Sequence, residues 1–138
     1  MERIVKVLTI IFAALYFCPQ VLAEIPPASL VTPQTVSFDI CTKNYNLTAE
    51  KLFYLSIASA KANRFTIDEI QSKTGYILFT VSGKQYLASV IKEGANSSQL
   101  KITPTNNNYF FAPGIVLNFF KYIDLNLNTQ LITLPKNL

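Results

Sequence analysis

Few residues in this chain can do chemistry, and their spacing supports little of it. Across 138 residues there is no His, which removes Ser-His-Asp and Cys-His nucleophilic machinery and every His-bearing zinc site. Two Cys are present, Cys18 and Cys41. The carboxylates are dispersed. Asp39, Glu93 and Asp124 belong to different segments, and Asp68 and Glu69 are neighbours in a predicted strand, where successive side chains point to opposite faces. Paired acid–base catalysis needs two carboxyls held at a set separation in a cleft. A Ser–Lys dyad works without His; Ser56 with Lys61, or Ser72 with Lys73, supplies the residue types without a specific spacing. Only oxygen ligands remain for a metal, and no D-x-D-x-D-G loop occurs. Gly75, Gly83, Gly94 and Gly114 stand singly in turns or caps, so no glycine-rich loop cradles a phosphate. These patterns assign no catalytic residue, no cofactor and no metal. Asn46-Leu-Thr48 and Asn96-Ser-Ser98 fit the glycosylation sequon, but the residue usage suits a bacterial source, and both Asn are read as turn or cap residues.

The stretch with most promise for recognition is Tyr109-Phe110-Phe111, which follows the Asn-rich Thr105–Asn108. Aromatic side chains on a polar loop can grip a partner or a lipid surface. With Ala112 as the cap of a following helix, Phe111 at N′ and Val116 at N4 form a hydrophobic staple. That leaves Tyr109 and Phe110 as the candidate partner-binding residues.

Residues 1–23 read as a secretory signal peptide. Arg3 and Lys6 precede the apolar run Val7–Phe17, and Val21-Leu22-Ala23 offers a cleavage site before Glu24. The run is shorter than the roughly 20 residues of a membrane span. The expected location is therefore exported, periplasmic or extracellular. Tyr16 and Phe17 are too bulky for a lipoprotein signal at Cys18. Cleavage leaves Cys41 alone, so the mature chain has no intramolecular disulfide, and Cys41 reads as a small buried hydrophobe. The full chain carries 12 basic and 8 acidic residues, net +4, with the mature Lys and Arg scattered singly. No basic cluster marks a nucleic-acid groove.

The elements that must position these residues follow from periodicity. Residues 24–36 hold Pro26, Pro27 and Pro33 and read as an irregular leader before a single domain over 37–138. Phe38 and Ile40 suggest a short edge strand. A helix is predicted over 48–63, capped by Thr48 and stopped at Asn63, with Ala49, Leu52, Phe53, Ser56, Ile57 and Ala60 on one face. The period then changes to 2. Strands are predicted from Phe65 to Ile70, over Tyr76–Val81, over Gln85–Ile91 and over Gln99–Thr103, joined by turns at Ser72–Gly75, Ser82-Gly83 and Gly94–Ser98. A closing helix is predicted over 113–125, with Val116, Phe119, Phe120, Ile123 and Leu127 as its apolar stripe. A weak last strand is read over Gln130–Leu134. The fold class is α+β: a two-layer four-stranded antiparallel meander with an N-terminal and a C-terminal helix on one face. Phe53, Ile57, Leu78, Leu87, Ile102, Phe119 and Ile123 form the expected core.

From Thr48 to Pro104, a small-residue helix followed by FTIDEIQSKTGYILFTV, a hairpin and a strand resembles the small bacterial envelope domains of the BamC (NlpB) lipoprotein type. The shared turn lies at Asp68…Ser72–Gly75. The chain departs from that family in having no lipobox before Cys18. The resemblance implies a helix-grip-like fold and a non-catalytic scaffolding or binding role in the envelope, with no catalytic residues to carry over. The expected partner is a protein of the cell envelope, with peripheral membrane contact possible and nucleic acid excluded. The rival expectation is a small cell-wall or carbohydrate hydrolase, which would need a positioned base, nucleophile or metal.

Overall fold

The computed structural model describes residues 30–128. The export signal expected over 1–23 and the strand expected over Gln130–Leu134 lie outside the described residues. Among the described residues, no helix is long and apolar enough to cross a membrane.

Helix α1 spans Ala49–Ala62. Its start is set by Thr48, whose backbone is extended and whose Oγ1 accepts from the Lys51 N–H at 3.2 Å. That satisfies one of the donors every helix start leaves unpaired. Glu50 in the first turn and Lys61 in the last complement the helix dipole. Asn63 ends the helix by donating its N–H to Ser59 O, and Arg64 turns into the left-handed region at φ 60°. Thr48→Ala is expected to cost about 1 kcal/mol through loss of the cap. A lower urea midpoint with an unchanged helical spectrum would show it.

A continuous antiparallel run follows: β3 (Thr66–Gln71), β4 (Tyr76–Val81), β5 (Lys84–Gly94) and β6 (Ser97–Pro104). The β4–β5 connection is Ser82-Gly83, at φ 51° and 77°. Two consecutive left-handed residues match the twist of a tight hairpin. Gly75, at φ 73°, closes the β3–β4 turn; its carbonyl accepts from the Val90 N–H at 2.7 Å, and an added Cβ would lie 3.1 Å from Val90 O. Gly75→Ala is therefore expected to lose about 1–2 kcal/mol, the cost of a left-handed side chain. Equilibrium denaturation would record it as a shift in midpoint with an unchanged slope.

The sheet has five strands in the order β2-β6-β5-β4-β3, which corrects the expected four. The extra strand is β2 (Thr42–Tyr45), placed at the edge beside β6. The expected edge strand around Phe38 and Ile40 is instead a turn, closed by the Cys41 N–H donating to Phe38 O. A four-residue TKNY segment carries too little apolar alternation to announce a strand; its pairing with β6 creates it. A second, two-stranded sheet joins β1 (Gln34–Thr35) to β7 (Phe110–Phe111).

One face of the large sheet is the core floor. Ile77, Ala88 and Ile102 form one cross-strand row, and Phe79, Tyr86 and Pro104 the next. All six are essentially inaccessible to solvent. Phe79 stacks on Phe65 at 5.3 Å, on Tyr86 at 5.5 Å and on Phe119 at 5.5 Å. Phe119 belongs to α2 (Gly114–Leu125), whose buried stripe is Val116, Phe119, Phe120 and Ile123, as its spacing predicts. Helix α1 packs on the same face and against α2, where Ser59 Oγ donates to Phe119 O at 2.7 Å. Leu78 and Leu87, expected in the core, pair with each other on the opposite face and are only half-buried. Ile57 is also half-buried, while Leu55 and Ser59, absent from the expected face of α1, are buried.

Candidate partner-binding edge

The aromatic stretch at 109–111 is held by the polar residues around it. Asn107 takes φ 58°. Asn106 Oδ1 accepts from the Asn108 N–H at 2.9 Å, and Asn108 Oδ1 from the Phe110 N–H at 3.1 Å. The Lys84 ammonium donates to the carbonyls of Asn108 and Phe110 and lies 5.3 Å from the Phe111 ring centroid. These contacts convert a run of three Asn into a fixed platform.

On that platform the three rings have different surroundings. Phe111 is buried edge-on against Tyr86 at 5.3 Å. The structural cap of α2 is Pro113 rather than Ala112, so Phe111 sits one position further out than a staple requires. Tyr109 is half-buried on the Phe111 side, 6.4 Å from that ring, and packs edge-on against Phe38 at 4.5 Å. Burial pushes the Tyr109 hydroxyl pKa up, with a smaller contribution from Cys41. Phe110, between them on an alternating strand, turns the other way and is 57% exposed. Tyr109 and Phe110 therefore border the same short strand from opposite sides. The structure adds Phe38, 67% exposed, to this edge through its contact with Tyr109. The edge strand expected around Phe38 and Ile40 is a turn here. Phe38-Asp39-Ile40 alternates as a strand would, but over three residues, and the Cys41 N–H closes it as a turn instead.

Other chemical groups are arranged for structure. The β3 bulge between Ile67 and Glu69 overturns the expectation that Asp68 and Glu69 face opposite ways. Asp68 accepts from Thr80 Oγ1 and Gln85 Nε2 on the outer face, and Glu69 pairs there with Leu78. Those two donors hold the Asp68 pKa below its ordinary value, the reverse of a poised general acid. S-x-x-K spacing occurs at Ser89–Lys92 and Ser98–Lys101, but both pairs lie on strands, where positions three apart face opposite sides. Cys41 is 1% exposed and its thiol pKa is raised by burial. An open cleft of about 690 Å³ lies between β2 and the end of α2, lined by Tyr45, Lys51 and the Lys43–Asp124 ion pair among others. The Tyr45 hydroxyl is sealed off beside it. Burial first, then the Asp124 charge, raises its pKa, although Asp124 does not reach hydrogen-bond geometry with it. No cluster of three metal-ligating side chains occurs among the described residues.

Comparison with known protein families and with curated proteins finds no match.

Proposed function

We propose that this is an exported, non-catalytic binding module of a bacterial cell envelope that captures a protein partner through the edge formed by Phe38, Tyr109 and Phe110. The observation carrying this reading is the exposure of Phe110 on a loop whose backbone is fixed by Asn106, Asn108 and Lys84. A large aromatic held rigidly in water has lost its conformational freedom in advance, which favours association. The envelope assignment rests on the signal-like residues 1–23 and on the resemblance of residues 48–104 to small envelope domains.

Crosslinking in the source organism, followed by mass spectrometry, tests the reading. Phe110→Ser should remove a crosslinked partner while the melting temperature stays within about 2 °C, since an exposed side chain contributes little to folding. Tyr109→Ala should weaken capture as well, with a moderate stability loss from its contact with Phe38. Unchanged crosslinks in both variants would refute the edge as the binding surface. Hydrolase activity in the purified protein would refute the non-catalytic assignment. The mass of the protein recovered from its native compartment should correspond to a chain starting at Glu24, and a mass that includes residues 1–23 would refute cleavage.

A further inference from the structure

A buried hydroxyl without a partner is rare in a folded chain, because it has given up water and received nothing in return. Among the described residues, one buried side-chain polar atom is in this position, the Tyr45 hydroxyl. Tyr45 ends β2, is 6% exposed, and has its ring centroid 5.5 Å from the Lys43 ammonium. That ammonium is bonded to Asp124 of α2. Asp124 also stands close to Tyr45, since after burial its charge is the next cause of the raised Tyr45 pKa. The carboxylate therefore has two neighbours that can donate to it, a lysine and a phenol, and it takes the lysine.

The Lys43–Asp124 pair is open to water, its side chains 42% and 38% exposed, and an ion pair in that setting holds weakly. It lines the open cleft between β2 and the end of α2. The charged residues of that lining are two cations and one anion: Lys43, Lys51 and Asp124. Lys51 donates to the Leu127 carbonyl, which leaves its charge unneutralised. Asn44 Oδ1 accepts from Gln99 Nε2, so the side of its amide left over is the donor. The lining thus carries a surplus of donors and of positive charge, and none of its residues belongs to the Phe38–Tyr109–Phe110 edge.

We infer that this cleft binds a phosphate group through Lys43 and Lys51, and that Asp124, released from Lys43, turns to accept from the Tyr45 hydroxyl. The oxygens of a phosphate ester accept strongly, which complements two ammonium groups and an amide N–H. Binding it breaks the Lys43–Asp124 pair. The carboxylate is not left unpaired, because the Tyr45 O–H lies beside it with no other bond to give up. The unpartnered hydroxyl is therefore the second position of a carboxylate that changes partner, and it favours the ligand-bound state without touching the ligand. At about 690 Å³ the cleft exceeds a bare phosphate, so the group arrives on a larger molecule, a soluble ester or a lipid headgroup.

Glycerol phosphate titrated into the isotopically labelled chain at low ionic strength, with backbone amide shifts followed, tests this. Flotation with vesicles containing phosphatidic acid tests the membrane source. The expected result is saturable binding with shifts centred on 43–51 and 124–127. Lys43→Gln should weaken it by about fivefold or more, the loss of one charge-assisted bond. Asp124→Ala removes the competitor for Lys43 and should tighten binding by about threefold or more. Tyr45→Phe should weaken binding by about threefold in the unaltered chain and have no effect in the Asp124→Ala background, because the hydroxyl acts only through that carboxylate. A packing role for Tyr45 would not produce that dependence on Asp124. Glycerol phosphate binding without flotation assigns a soluble ester, and flotation lost in Lys43→Gln assigns a lipid headgroup; either supports the inference. Absence of both, equal affinity in Lys43→Gln, or a Tyr45→Phe effect that is missing from the unaltered chain or persists without Asp124 overturns it.

Discussion

Phe119→Ala should lower the free energy of unfolding by about 3–5 kcal/mol, the range for removing a fully buried aromatic ring. Phe119 is inaccessible to solvent and touches both layers: its ring stacks on Phe79 at 5.5 Å and on Phe65 at 6.5 Å. Its carbonyl accepts from Ser59 Oγ, fixing the approach of α1 to α2. Truncation removes transfer energy and also leaves a cavity that neither helix can close without breaking that bond. A domain of this size has a total stability of about 5–15 kcal/mol, so the variant sits near the folding threshold. Leu125→Ala, at a position 74% exposed on the same helix, serves as the control and should change stability by less than about 0.5 kcal/mol. Urea denaturation of the two variants decides the matter. A loss below about 1 kcal/mol for Phe119→Ala would mean that α2 is not seated on the sheet as described.

The same packing explains which parts of the fold were legible in the sequence. Helix α2 was legible because Val116, Phe119, Phe120 and Ile123 recur at 3.6-residue spacing between polar residues, so period and burial agree. Helix α1 was legible at its ends, through Thr48 and Asn63, and less so along its face. Its buried positions include Ser56 and Ser59, which small size and hydrogen bonds to Leu52 O and Phe119 O admit to the interior. Strand β4 was legible as a strand, but its facing was not. YILFTV is composed almost wholly of strand formers, so alternation does not choose between Leu78 and its neighbours Ile77 and Phe79. Ring stacking across β4, β5 and α2 makes that choice, and it is a tertiary property. The pairing of β2 with β6, and of β1 with β7, joins segments dozens of residues apart, which local pattern cannot register. At the candidate edge, the spacing of aromatics singled out Tyr109 and Phe110. Phe38 joins them only because the turn at 38–41 folds back onto the loop.

At high pH the protein should unfold cooperatively, driven by groups that the core keeps protonated. Burial, with a smaller contribution from Cys41, pushes the Tyr86 hydroxyl pKa up to about 12, whereas a tyrosine in an unfolded chain ionises near pH 10. Between those values the unfolded chain binds fewer protons than the folded one, so stability falls as pH rises. The contribution is intact below about pH 10 and is lost progressively as pH passes through about 12. Tyr45 and Cys41, whose pKa values are also raised by burial, act in the same direction, the thiol beginning at lower pH. The share of the tyrosinate absorbance that belongs to Tyr45 and Tyr86 should therefore appear together with the loss of the helical signal in one alkaline transition. Tyr45→Phe separates the titration from the packing. The Tyr45 hydroxyl is buried without a hydrogen-bond partner, so removing it should leave stability at pH 7 unchanged or slightly higher. It should also move the alkaline midpoint upward, because one of the groups driving ionisation is gone. Tyrosinate absorbance that titrates fully near pH 10 while the helical signal persists would show that Tyr45 and Tyr86 are open to solvent, and the core arrangement around β2 and β5 would have to be abandoned.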